Sequence, residues 1–482
     1  MNARDAQAYP VVRQYIAGAW RAGGQGVAGE VRNPATGEVL AEVPRASAQD
    51  LDDALAAAAA GFELWRLKSP QERAAVLMRT AALVRERVED MARLMTLEQG
   101  KTLAESRLEF TLSAETFEWY AQEALRSYGR VIPARVRGTR QLVIPQPLGP
   151  VAAFTPWNFP AILPARKIAP ALAAGCSVVI KPSEETPQST MVLAQALADA
   201  GLPAGVLNVV FGVPAEVSSH LITSPVIRKV TFTGSTGVGR ELARLAAVGP
   251  KPCTLELGGH APVLVFDDAD LERTVATCVQ GKSRNAGQVC TSPTRFLVQE
   301  GIHDAFVARY AQALDALKVG PGLDPANQMG ALANTRRVEA IEGLLADAVA
   351  GGGRVVAGGS RVGDRGNFFR PTLVADTPES AQALRIEPFG PLALVRRFST
   401  LEEGLARAND TPYGLAAYAF TQSAATAVAV GDELQAGGIG INTFSVSAIE
   451  APFGGLKDSG YGQEGGPEGL ESYLHRKYVH HA

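Results

Sequence analysis

At 482 residues, with 46% hydrophobic and 20% charged side chains, the chain has an ordinary globular composition and is too long for one core, so two or three domains are expected. A net charge of −3 with short, mixed charge runs argues against a nucleic-acid partner. Four cysteines without a CxxC pair, six scattered histidines and no apolar run near about eighteen residues argue against disulfide stapling, a metal site and a membrane span.

Residues 1–10 carry charge but no apolar core for a signal peptide, so a cytoplasmic protein is expected. Residues 11–20 and 31–43 read as short strands, with turns at Gly23-Gly24 and Pro34-Ala-Thr-Gly37. Ser47-Ala-Gln-Asp50 opens a helix to about Lys68. Ser69-Pro70-Gln-Glu72 then pairs an N-cap serine with proline at the first helical position and glutamate at the third. From there Leu77, Ala81, Val84, Val88, Met91 and Met95 form one stripe of a helix that stops at Gly100. A further helix covers residues 103–128.

Beyond it, strand-like stretches 151–154, 177–180, 207–211 and 230–232 alternate with helices near 161–174, 189–200, 215–222 and 237–247. Continuous apolar strands between helices imply a parallel sheet covered on both faces, with ligands beyond the carboxyl ends of its strands. A second αβ series begins at 261–266 and continues with strands near 296–298, 355–356, 372–374, 392–398 and 416–420. The last stretch is glycine-rich and closes with a strand near 473–479, which needs a sheet edge, one on another subunit being an option.

Asn285-Ala-Gly-Gln-Val-Cys290-Thr-Ser offers a thiol on a glycine-containing stretch, after an amphipathic segment 270–287 and before an apolar run. Such a thiol is presented at a cleft, and its thiolate is the form that attacks carbon. Gly234-Ser-Thr-Gly-Val-Gly239 follows a strand and opens a helix, so its backbone N–H groups could hold a phosphate, although it is not the Rossmann Gly-x-Gly-x-x-Gly.

These motifs occur in one order with Thr155-Pro-Trp-Asn-Phe-Pro160, Lys181-Pro-Ser-Glu184, Leu255-Glu-Leu-Gly-Gly259, Glu387-Pro-Phe-Gly-Pro391, Asn409-Asp-Thr-Pro-Tyr-Gly-Leu415 and Pro452-Phe-Gly-Gly455. Along essentially its whole length the sequence resembles the aldehyde dehydrogenase superfamily. The resemblance implies an α/β fold with a Rossmann-like parallel-sheet cofactor domain (1–125 and 147–258), an α/β catalytic domain (259–440) and a small β oligomerisation element (126–146 and 454–482). It also implies a homodimer or homotetramer whose terminal strand extends a neighbour's sheet.

Carried over residue by residue, the resemblance implies that Cys290 attacks the aldehyde, that Asn158 donates to the oxyanion with the Cys290 N–H, and that Glu256 is the base for hydrolysis of the thioester. Relatives that pass the acyl group to coenzyme A generally lack that carboxylate. Trp157, Gly234, Ser235 and Gly239 match the pyrophosphate region, Glu387 the nicotinamide ribose, Phe389 the nicotinamide pocket, and Lys181 with Glu184 the adenosine ribose. A carboxylate at 184 suits ribose hydroxyls and repels a 2′-phosphate, so NAD is expected, with NADP possible.

Arg166 and Arg284 match the arginines with which succinate-semialdehyde dehydrogenases hold the distal carboxylate, and Ser447 lies near a further contact. Ser292 stands where some of those enzymes have a second, redox-active cysteine, so no such switch is expected. Ile386, Pro164 and Ala165 also depart from the commoner residues. Alternatives are a 2-oxoglutarate or glutarate semialdehyde dehydrogenase with the same arginines, an aromatic or aliphatic aldehyde enzyme in which the arginines are structural, and a non-catalytic binding protein. The last predicts loss of Cys290, Glu256 or Asn158, and all three are present.

Overall fold

The apolar strands of the first series alternate in the direction their side chains face, and this dictates the layering. Ala153, Val178, Ile180, Leu207 and Val209 enter one core with Leu77, Phe117, Ile168 and Leu193. Ala152, Phe154, Val179, Val230 and Phe232 enter the opposite core with Leu51, Leu221 and Leu242. The computed structural model describes residues 9–482, and every structural statement concerns those residues; the expectation for residues 1–10 lies almost wholly outside them.

The first sheet runs in the order Ala19–Arg21, Gln14–Ile16, Leu207–Val209, Val178–Lys181, Val151–Phe154, Lys229–Thr233, Cys253–Glu256, Gly460–Tyr461. Its five inner strands are parallel and its outermost members antiparallel. The second sheet runs Arg354–Ala357, Thr372–Ala375, Leu392–Phe398, Pro293–Gln299, Ala261–Val265, Ala416–Phe420, Gly438–Ile441, parallel except for its first strand. The expected α/β architecture with two separate sheets is therefore present. No helix among the described residues is long and apolar enough to cross a membrane.

Several boundaries differ from expectation. The stretch 11–20 is a hairpin that turns at Ala17 and Gly18, both with positive φ, rather than one strand. The helix opened by the Ser69–Glu72 capping box ends at Glu86; Arg87 leaves helical geometry (φ −101, ψ 9) and a second helix, Val88–Gln99, runs to Gly100. Neither glycine nor proline marks that break. Leu103–Ala124 ends four residues short of expectation, and the segment 270–287 is the helix Leu271–Ser283 followed by a turn of left-handed backbone.

The third sheet joins Arg130–Ile132, Arg140–Pro147 and Leu474–His481. The terminal strand is thus not isolated: it pairs with Arg140–Pro147 across eight residues of its own chain, and its outer edge stays open. Nor does all of 454–482 belong to this element. Leu456–Lys457 pairs with Tyr413–Gly414, and Gly460–Tyr461 pairs with Cys253–Glu256. Glycine permits that approach, since a Cβ on Gly460 (φ +114) would stand 1.9 Å from the Leu255 carbonyl oxygen.

Candidate active site

Parallel strands of the first sheet end together, and the loops that leave them converge. Residues 155–160 follow Val151–Phe154, Gly234-Ser235 follows Lys229–Thr233, and Glu256 is the last residue of Cys253–Glu256. The chain then crosses through Leu257-Gly258-Gly259 into the strand Ala261–Val265 of the second sheet. Gly259 lies against the cysteine loop: a Cβ there would stand 2.2 Å from the Cys290 carbonyl oxygen.

The cysteine loop owes its shape to three consecutive residues with positive φ, Asn285 (48°), Ala286 (51°) and Gly287 (73°). Non-glycine residues adopt this region at a cost and need fixed partners. Asn285 has them. Its backbone N–H donates to Glu105 Oε1 at 2.6 Å, and its Nδ2 donates to the Asn158 carbonyl oxygen at 2.8 Å. Asn158, 3% exposed, donates one amide hydrogen from Nδ2 to the Gln288 carbonyl oxygen at 3.1 Å, leaving the second for a ligand. The Cys290 N–H has no protein acceptor among the described residues.

Cys290 sits half-buried on the pocket floor. Desolvation, then the charges of Glu387 and Glu256, push its thiol up to about 12, while Arg166 and Arg284 pull the other way. Glu256 is 2% exposed and neither carboxylate oxygen has a partner. Burial raises its pKa well above the ordinary carboxylate value, and Glu464 adds to this; Lys167 and Arg166 oppose it. Lys167 Nζ donates to Thr233 Oγ1 at 2.7 Å and forms a buried ion pair with Glu464.

Beside the thiol the pocket is lined by Arg166, Arg284, Ser447, Phe159 and Phe453, by Lys101, Glu105 and Glu109, and by several leucines and isoleucines. Arg166 projects from the helix Ile162–Ala174, is 8% exposed and donates from Nη2 to the Ser447 carbonyl oxygen at 2.8 Å. Its Nε is buried without an acceptor, and its guanidinium lies 5.2 Å from the Phe453 ring centre. The contact at Ser447 is therefore a carbonyl that aims Arg166. Arg284, at the end of Leu271–Ser283, is exposed and lies 5.1 Å from the Phe159 ring centre.

On the far side, Trp157 and Phe389 meet edge to face at 5.5 Å. Glu387 Oε1 accepts the Gly259 N–H at 3.1 Å, and burial pushes its carboxyl up to about 8. A side chain on Gly258 would meet Glu387 Oε2 at 2.8 Å, so glycine keeps the space beside that carboxylate clear. Ser235 caps Thr236–Val248 without a side-chain cap bond, which leaves its hydroxyl and the first helical N–H groups for an anion. Gly234 and Gly239 act differently from expectation. Their N–H groups are spent on the Glu256 and Ser235 carbonyls, and a Cβ on Gly239 would stand 2.3 Å from Leu257. They let the helix approach the strand ends, and neither of their N–H groups is free for a phosphate. Lys181 and Glu184 pair at 2.5 Å beyond the end of Val178–Lys181, with the Gly212 N–H 3.4 Å from Glu184 Oε1. This donor set fits a dinucleotide: hydroxyl acceptors at both ends and a helix N-terminus between.

A thiol, a carboxamide and a carboxylate gathered where the chain passes from one sheet to the other define an α/β oxidoreductase. The chain belongs to the aldehyde dehydrogenase family, whose model matches residues 20–479. It is similar to the putative 4-(hydroxymethyl)benzenesulfonate dehydrogenase TsaD2 of Comamonas testosteroni, at 52% identity over 466 residues and 97% of each chain. It is also similar to the NADP(+) succinate-semialdehyde dehydrogenase GabD of Escherichia coli strain K12, at 45% identity and 96% of each. The crystal structure of succinate-semialdehyde dehydrogenase from Burkholderia pseudomallei superposes with a TM-score of 0.97, at 42% identity and 100% coverage of both chains. The family uses a nicotinamide dinucleotide.

Sequence reasoning missed Lys101, Glu105, Glu109, Lys167 and Glu464. Glu109 had a signal: it lies on the buried stripe of Ser106, Phe110, Ser113 and Phe117, where a carboxylate demands a partner. Glu464, in the glycine-rich tail, had none.

Proposed function

We propose that this chain oxidises an aldehyde bearing a distal carboxylate, succinate semialdehyde fitting best, to the free acid with NAD. The observation that carries this reading is the convergence of Arg166 and Arg284 on the pocket that holds Cys290. Guanidinium groups bind both oxygens of a carboxylate, and Arg166 keeps an unsatisfied buried donor for one.

Burial holds the Cys290 pKa high, so attack on the aldehyde carbon requires the S–H proton to leave to a water in the pocket as the C–S bond forms. The Asn158 amide and the Cys290 N–H stabilise the oxygen as it becomes anionic, and a donor of this kind contributes roughly a hundred- to a thousandfold in rate. What the dinucleotide supplies when bound is a hydride acceptor. Trp157, Ser235, Glu387 and Phe389 would hold its nicotinamide half, and Lys181 with Glu184 its adenosine ribose. Cys290 is left carrying an acyl group as a thioester. Glu256, with two unbonded oxygens and a raised pKa, takes the proton of the water that attacks it. The free thiols suit a cytoplasmic setting, and the open edge of Leu474–His481 suits a homo-oligomer.

A second reading has support of its own. Each guanidinium lies over a phenylalanine ring, and the 52%-identical relative is named for a benzenesulfonate, so an aromatic aldehyde with a para anionic group is the rival substrate. Steady-state assays with succinate semialdehyde, glutarate semialdehyde, 4-formylbenzenesulfonate, 4-formylbenzoate, benzaldehyde and butanal separate the two. The first reading expects the highest kcat/KM with succinate semialdehyde. A higher value with either aromatic anion establishes the second, and indifference to the anionic group defeats both. Cys290→Ala should abolish NADH formation with every member.

A further inference from the structure

A largely buried charge cluster at the start of the helix Leu103–Ala124 borders the Cys290 pocket and takes no part in the bond changes. Lys101, Glu105 and Glu109 recur at steps of four; Lys101 and Glu109 grip the segment from Asn158 to Ile162, and Glu105 grips the cysteine loop. Lys101 Nζ donates to Glu109 Oε2 at 2.6 Å and to the Asn158 carbonyl oxygen at 2.8 Å. Glu109 Oε1 accepts the N–H groups of Ala161 (2.8 Å) and Ile162 (3.2 Å), where the helix bearing Arg166 begins. Glu105 completes the cap on Thr102 with one oxygen and accepts the Asn285 N–H with the other.

The geometry points to Lys101, ion-paired with Glu109, as a positioning residue that fixes the Asn158 peptide so that its side-chain amide meets the oxyanion. Lys101 and Glu109 are 1% and 3% exposed. A buried ion pair is weak ground for stability, because desolvation offsets the attraction and an apolar pair of equal size does as well. What an apolar pair cannot do is hold a carbonyl. The Asn158 carbonyl has two donors, the Lys101 ammonium and Asn285 Nδ2, and the peptide they fix sets the direction of Asn158 Nδ2 toward the cysteine loop. The Lys101 ammonium also lies 4.2 Å from the Phe159 ring centre, with the Arg284 guanidinium at 5.1 Å from the same ring, so the cluster reaches a substrate-pocket arginine through one aromatic wall.

This inference rests on the reading of Asn158 as the oxyanion donor, and a double-mutant cycle tests the two separately. Lys101→Met, Asn158→Ala and the double variant are compared in kcat, KM for NAD and thermal unfolding. Asn158→Ala should lower kcat about a hundredfold or more. Lys101→Met should lower kcat at least about tenfold with KM for NAD within about twofold, and should cost less than about twofold once Asn158 is already Ala, since residues acting through one another are not additive. Equal factors in both backgrounds, or a folded Lys101→Met enzyme with the parent kcat, overturn the positioning role. A parent-like kcat in Asn158→Ala overturns the oxyanion reading and the inference with it. If Lys101→Met does not fold, Glu109→Gln takes its place in the cycle, since the amide oxygen still accepts the Ala161 and Ile162 N–H groups while the charge is gone; the same non-additivity is expected, and full additivity refutes the proposal.

Discussion

Replacing Arg166 by alanine separates carboxylate recognition from everything else the pocket does. The side chain is 8% exposed, and only one of its five N–H donors is committed, to the Ser447 carbonyl. A substrate carboxylate there would be largely desolvated, and truncating one partner of such a hydrogen-bonded pair costs about 2–4 kcal/mol, or ~30- to 1,000-fold. Arg284 is exposed, so its loss should cost only about 0.5–1 kcal/mol. Arg166 also lowers the Cys290 pKa, so its removal slows every aldehyde by making the thiol harder to ionise. The informative quantity is therefore a ratio: kcat/KM for succinate semialdehyde over kcat/KM for butanal, which shares the chain length and the thiol but not the charge. NADH absorbance in the parent, Arg166→Ala and Arg284→Ala enzymes measures it. The ratio should fall ~30-fold or more in Arg166→Ala and less than about tenfold in Arg284→Ala. An unchanged ratio in Arg166→Ala, with both substrates slowed equally, would mean that this arginine tunes the thiol and binds no carboxylate.

Three further outcomes follow from the same geometry. Glu256→Gln removes the base for hydrolysis, so rapid mixing should show a burst near one NADH per site followed by a turnover lowered about 10²- to 10⁴-fold, with acyl-enzyme visible by mass spectrometry; a parent-like steady rate contradicts the assignment. The like charge of Glu464 raises the Glu256 pKa, so Glu464→Gln should move the acidic limb of the kcat profile to lower pH, and Lys167→Met, which removes an opposing positive charge, should move it to higher pH. Shifts in the same direction, or none, would detach that limb from Glu256. Glu184→Gln removes the negative charge that a 2′-phosphate would meet, so KM for NADP should fall relative to KM for NAD; a ratio that does not move places cofactor choice elsewhere.

What the sequence disclosed about the site divides along physical lines. Cys290, Glu256, Asn158, Glu387 and Arg284 stand in short patterns because each occupies a strand end, a helix end or a tight turn, whose glycines and prolines are visible locally, whereas Arg166 lies within the helix Ile162–Ala174 and is marked only by its match to the family pattern. The Lys101–Asn158 contact spans 57 residues and the Lys167–Glu464 contact spans 297, and nothing near either partner announces the other. The strand Cys253–Glu256 went unread because its Cys-Thr-Leu-Glu is too short for a period to emerge. Arg87 breaks a helix whose apolar stripe continues through the break, so periodicity alone could not locate it. The terminal strand was legible as a strand and its grouping with 126–146 followed from the family resemblance, but its register against Arg140–Pro147 of the same chain was not.

Gly259 rests against the carbonyl of Cys290, and Glu256 precedes it by only three residues. Base and nucleophile are thereby registered to the seam between the two halves, not to the halves themselves. The short covalent path from Glu256 to Gly259, packed on the Cys290 carbonyl, ties the spacing of base and sulfur to that one contact. A side chain introduced at Gly259 should consequently disturb base and nucleophile together.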